Sequence, residues 1–306
     1  MKHQNTKLVS DCKTRWNSIY YMLSSLSQSR RGVSDVMLNP DITKQKYRSL
    51  LLNNAEWDAI ESMLPVLSAL EVATTALSYQ NNVSLSTLYP IVFGLLNNHL
   101  EAESDDTPLV EEMKQIIRYE LTERFKVHKP ALTKSVALVA SALDPRFKDL
   151  EFLTTKQKTE VHREVKRRFL NNNKKHQTKV DKEQEEPPAK VKKIDAMSFL
   201  MGARKVQKKK EEDDLNRYLA LPQEAVESDP LKWWKEHSAG LPDLQKLAKR
   251  ILCIPATSTP SERVFSTMGI IISKLRNRLS PSTAEAILFL KKNDYSSYKD
   301  TDTDDI

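Results

Sequence analysis

The sequence predicts a mainly α-helical chain, and three observations carry that prediction. Glycine is scarce, 5 in 306 residues, which disfavours a turn-rich β architecture. Apolar residues recur at intervals of three and four through most of the chain, the spacing of one helix face. Prolines and capping residues punctuate these stretches where helices should start and stop.

Leu8 to Cys12 reads as a short strand. A helix follows from Thr14, with Trp16, Ile19, Tyr20, Leu23 and Leu26 on one face, and Asn39-Pro40-Asp41 breaks the chain. Two helical stretches come next, Asn54 to Leu77 and Ser86 to Leu100. In the first, Trp57, Ile60, Leu64, Leu67 and Leu70 form a stripe, and Pro65 is placed to kink it. Glu101 to Asp106 is an acidic loop. A long helix is expected over Pro108 to Phe125, and an apolar one over Thr133 to Leu143. The latter stops at Asp144-Pro145, because proline disfavours helical geometry in the residue before it. Thr155 to Asn172 reads as a basic amphipathic helix, with Val161, Val165 and Phe169 on its apolar face.

From 173 to 214 the character changes. This segment is rich in lysine and glutamate and poor in large apolar residues, so it cannot offset the entropy of ordering and is expected to be a disordered linker. Order returns at Leu215. Two helix starts stand out near the end. Thr259-Pro260-Ser261-Glu262 reads as a capping box with proline at the first helical position. Ser280-Pro281 opens a second helix, with Glu285 near its positive end. The tail from 296 to 306 is acidic.

A net charge of +7 suits nucleic-acid or chromatin partners and equally suits an ordinary basic protein. Two cysteines, Cys12 and Cys253, make no disulfide framework and point to a reducing compartment. No zinc-finger spacing, secretory leader or apolar run of ~18 residues for a membrane span is expected. The basic clusters at Lys190–Lys193 and Lys208–Lys210 read either as a nuclear-localisation signal or as part of a solvated linker. Gln157 to His176 carries 7 Lys/Arg against 2 Glu. Its Arg163, Lys166, Arg167 and Arg168 suit phosphate contact, or a plain solvated face. Trp233-Trp234 is expected to pack in a core, since neighbouring side chains on a helix point about 100° apart.

No phosphate-cradling glycine loop, GxSxG or HExxH is present. Asp11, Asp144 and Glu262 each have a local explanation, at a strand end, a helix end and a capping box. The last helix carries a stripe of Leu279, Thr283, Ile287 and Leu290, widened by Ala284 and Leu288, with Phe289 on another side. Val264, Phe265, Met268, Ile270, Ile271 and Ile272 add apolar surface upstream. Packing within one domain covers such a surface, or a second copy does so through a two-fold interface.

Several strings together resemble the hAT superfamily of DNA transposases and their domesticated BED-finger relatives. They are Asp11 to Leu23 (DCKTRWNSIYYML), Ala142 to Lys148 (ALDPRFK), Trp233-Trp234, Pro255 to Ser266 (PATSTPSERVFS), Leu275 to Pro281, and Leu288 to Asn293. The resemblance implies a partial RNase H-like domain, contributing its last strand and helices, with an all-helical insertion and a C-terminal helical dimerisation region. On that basis 1–29 ends the first part of the RNase H-like domain and 30–172 is the insertion. Residues 173–214 are the linker, 215–295 the dimerisation region and 296–306 the tail.

Family enzymes hold divalent metals with two aspartates and a glutamate. Glu262 matches the glutamate. The strands bearing both aspartates precede the Thr14-Arg15-Trp16 motif in the family, and Asp11 matches a non-catalytic position. The resemblance therefore implies a nuclear protein that is not an enzyme, with no cofactor, resident metal, membrane or small-molecule substrate. Its expected partners are a second copy, related hAT-type proteins and DNA. Phe265, Leu279, Ile287, Leu288 and Leu290 are expected in core and interface packing. Arg276 and Arg278 are placed at the rim or against nucleic-acid phosphate.

Overall fold

The computed structural model describes residues 7–12, 17–79, 83–180, 214–272 and 279–293. Every regular element among them is helical. The strand expected at Leu8 to Cys12 does not form, and the partial RNase H-like sheet is absent from the described residues. The local hydrogen bonds explain why. Ser25 Oγ accepts from the Val9 amide at 3.1 Å, and Ser18 Oγ accepts from the Cys12 amide at 2.9 Å. Ser18 also donates to the Asp11 carboxylate at 2.5 Å. The backbone is thus satisfied by side chains of the next helix and needs no ladder.

That helix, α1 (Asn17–Gln28), buries Ser18 and Ser25, while Ile19 on the expected apolar face is exposed. α2 (Arg30–Leu38) ends before the Asn39-Pro40 break. α3 (Asn54–Ser78) begins with a capping box in which Asn53 Oδ1 accepts from the Glu56 amide and Glu56 returns the contact to the Asn53 amide. It runs on through Pro65. Trp57 and Ile60 are buried as the spacing predicts, but beyond the proline the buried positions are Val66 and Ala73. Contrary to the expectation, α3 is long and apolar enough to cross a membrane by length and composition alone. In this fold α1 and α5 pack against it.

α4 (Leu88–Gly94) follows a 3-10 turn and leads into a π-helical turn at Leu95–His99. α5 (Pro108–Arg124) is capped by Thr107, with proline at its start, as the sequence predicts. α6 (Val136–Leu143) buries every residue after Val136. A helix apolar on all sides belongs in the middle of a core. α7 (Thr155–Val180) buries Val161, Val165 and Phe169 on one face, and its backbone continues past the expected end at Asn172. The rest of the linker, 181–213, and the tail, 296–306, lie outside the described residues.

α8 (Asp214–Ala220), α9 (Pro230–Glu236) and α10 (Pro242–Leu252) complete the body. They do not form a separate unit. Tyr218, Trp233, Trp234, Leu244 and Leu247 share one core with Leu138, Val161 and Phe169. A second cluster joins α3, α4 and α5 through Val66, Val92, Leu96 and Val110. Leu88 and Phe93 of α4 touch both.

Polar ties fasten the two sides of the linker. Asp214 accepts from the amides of Asp243 and Leu244 at 2.8 and 3.1 Å, capping α10 from another helix. Trp234 Nε1 donates to the Leu143 carbonyl at 2.9 Å. The Lys148 ammonium, buried, donates to the carbonyls of Tyr218, Leu219 and Leu221 at the end of α8. A cation suits the negative end of a helix. Burial pushes its pKa down, partly opposed by Asp149 and Glu224.

Candidate functional site

The C-terminal block forms a helical pair, α11 (Thr259–Ile271) and α12 (Pro281–Asn293), which pack against each other. The start of α11 is anchored to the body. The Ala256 amide donates to Ser84 Oγ at 3.0 Å, and Arg263 donates to the Ser78 carbonyl at 3.1 Å, at the C-terminal end of α3. The capping box expected between Thr259 and Glu262 is not made. Ser258 is the flanking residue instead, and its hydroxyl donates to the Glu262 carboxylate at 2.7 Å. The helix starts one residue earlier than the motif suggests, so Glu262 sits one turn from Ser258 and Pro260 occupies the second position. At α12 the expectation is met. Ser280 Oγ accepts from the Thr283 amide at 3.1 Å, with Pro281 opening the helix.

Burial divides the apolar residues of this pair into two sets. Ile271 and Ala284 are buried, and Val264, Met268, Leu279, Ile287 and Leu288 are half-buried. Val264, Met268 and Ile271 recur at helical spacing, as do Ala284, Ile287 and Leu288, so they form the seam between the helices. The second set faces solvent: Phe265 is 73%, Ile270 70%, Phe289 65% and Leu290 67% exposed. The stripe read from the sequence is therefore cut in two. Thr283 and Leu290 turn outward, while Ala284 takes the centre. Arg276 and Arg278 lie outside the described residues.

Asp11, Asp144 and Glu262 do not come together. Among the described residues no three His, Cys, Asp or Glu side chains are placed to hold a metal ion. Glu262 is exposed. Asp144 is fully buried, bonded to Ser86 at 2.6 Å and to the Arg146 guanidinium at 2.8 and 3.0 Å. The Asp-Pro-Arg-Phe-Lys string thus serves as a structural clamp, with Asp144 holding the 3-10 turn before α4 and Lys148 holding α8. Sequence reading singled out the string but not this role, since both partners are remote in the chain.

On α7, Arg163 and Lys166 face solvent. Arg167 and Arg168 each bond Glu164 at 2.7 Å, and Arg168 also donates to the Lys134 carbonyl. The Arg167 guanidinium first, then Arg168, holds the Glu164 carboxyl down at about 2. Two of the four α7 cations named for phosphate contact are thereby engaged within the protein. Trp233 and Trp234 are both buried, their rings tilted 83° apart, as core packing requires.

Residues 212–293 match the hAT family C-terminal dimerisation region, and residues 1–66 match the ZBED1 RNase-like helical domain. The chain carries the hAT dimerisation region. The hAT match spans α8 to α12, so the exposed set on α11 and α12 lies within it. Over 296 residues the chain is 25% identical to the human Zinc finger BED domain-containing protein 4, covering 94% of this chain and 24% of that protein. Over 294 residues it is 25% identical to the Arabidopsis thaliana Zinc finger BED domain-containing protein DAYSLEEPER, covering 91% of this chain and 40% of that protein. It therefore spans between about a quarter and two fifths of these relatives. Within the match, α11 is tied to the end of α3 through Arg263, and Phe265, Ile270, Phe289 and Leu290 are exposed.

Proposed function

We propose that this chain self-associates through the outer faces of α11 and α12, as the dimerisation part of a transposase-derived nuclear protein. One observation carries the reading: Phe265, Ile270, Phe289 and Leu290, all large and apolar, are exposed on the matched helices. Burying one such side chain contributes about 1.5–3 kcal/mol. In a two-fold interface each residue counts twice. Eight such groups supply a favourable contribution of the same order as the association cost of about 4–15 kcal/mol. Nuclear residence rests on the basic clusters at Lys190–Lys193 and Lys208–Lys210.

Strand-cleaving chemistry is not part of this proposal. Glu262 matches the family glutamate, and in this fold its exposed carboxylate accepts from the Ser258 hydroxyl. Binding of DNA or chromatin through α7 stands second, supported by exposed Arg163 and Lys166 and weakened by the Glu164 ion pairs.

Analytical ultracentrifugation of the chain and of Phe265→Asp/Leu290→Asp tests the first reading. Dimer for the parent and monomer for the variant is the expected result, with circular dichroism unchanged. A parent chain that stays monomeric at micromolar concentration refutes it.

A further inference from the structure

α11 carries a glycine, Gly269, in its interior. Glycine is the poorest helix former after proline, because it loses the most backbone freedom on ordering. The backbone here is ordinary helix, and the position is exposed. Among the described residues, a methyl group on its Cα would meet nothing within 4 Å beyond the helix's own backbone. Neither a tight turn nor packing against a described neighbour therefore calls for glycine at this place. The seam with α12 uses Val264, Met268 and Ile271. At about 100° per residue, Gly269 is turned at least that far from each of them. Its own face holds Phe265, one turn earlier, and Ile272, the residue that ends the helix, one turn later. Both are exposed.

We propose that Gly269 marks the point where α11 crosses α11 of a second copy, with the two-fold axis beside it. The inference rests on the self-association reading and names its closest contact. A second copy is the occupant because Phe265, Gly269 and Ile272 all lie inside the matched dimerisation region. A residue beside a two-fold axis meets its own counterpart, so any side chain there fills the gap twice. Packed helices lie about 8–10 Å apart, and the side chains at the contact set the distance. Glycine on both sides gives the nearest approach of the two backbones. Phe265 and Ile272 of each copy then close around the crossing and bury against the opposite helix. Phe289 and Leu290, on α12, extend the contact away from the axis.

The test compares the full chain with Gly269→Leu by sedimentation equilibrium. Leucine adds apolar surface and favours helix, so it should tighten any dimer held by exposed apolar area alone. The crossing demands the reverse: a dimer weakened about tenfold or more, with helix content by circular dichroism undiminished. A second measurement does not depend on that variant. With Cys12 and Cys253 replaced by serine, Gly269→Cys should give a disulfide-linked dimer under mild oxidation, since such a bond needs Cα atoms within about 7 Å. The chain that keeps Cys253 as its one cysteine should link far more slowly. A parent dimer with Gly269→Leu as tight or tighter would overturn this inference and leave self-association standing. So would a parent dimer in which Gly269→Cys links no faster than the Cys253 chain. A monomeric parent would overturn both.

Discussion

Lys148 Nζ lies 3.3 Å from the carbonyl oxygen of Tyr218, joining the loop after α6 to the end of α8 across 70 positions of sequence. The same ammonium reaches Leu219 and Leu221 and sits 5.6 Å from the Tyr218 ring centroid. One buried cation therefore closes the helix that re-enters the core after the linker. Replacing it leaves three carbonyls without their donor. Lys148→Met keeps the stem volume and should cost about 1.5–3 kcal/mol, read as a lower urea midpoint with an unchanged slope.

Acid should strip a second contribution. Glu164 is ionised with its carboxyl held at about 2 by Arg167 and Arg168, against an ordinary value of about 4.5. A depressed carboxylate gives stability that is fully present above the unfolded value and is lost as pH falls through the folded one. The loss therefore falls between about pH 4.5 and 2. Arg167 is largely exposed, so screening reduces each pair's contribution to about 0.2–1 kcal/mol. Urea melts of the parent and Glu164→Gln should differ at pH 6.5 and converge toward pH 2.

Ala284 sets how closely α11 and α12 approach, being 1% exposed at the centre of their seam. A larger side chain there overpacks the contact at about 1–3 kcal/mol. Ala284→Leu should loosen the pair while sparing the body core around Leu138 and Trp234. Hydrogen exchange should quicken in 259–293 and remain slow in α6.

Much of this architecture was legible because its signals are local. Pro108, Asp144-Pro145 and the Val161, Val165, Phe169 spacing mark α5, α6 and α7 with little reference to the rest of the chain. Elsewhere remote partners decided the outcome. Val9 and Cys12 bond hydroxyls of α1, so residues with strand propensity form no strand. Val66 and Ala73 are buried because α3 has neighbours on two sides, where a single stripe assumes one. At the candidate site the Ser280 cap was readable, but Leu290 was not separable from Ile287 by spacing. Only the position of α11 tells which of the two is covered. Glu164 engages two arginines of the basic helix at spacings of three and four residues, a pairing the sequence reading did not single out.

Self-association through the last two helices is the central claim, and sedimentation equilibrium tests it most directly. The account predicts a reversible dimer at micromolar concentration that becomes monomeric when Phe265 and Leu290 are replaced by aspartate. A parent chain with monomer mass throughout that range, or a dimer untouched by both substitutions, would contradict it.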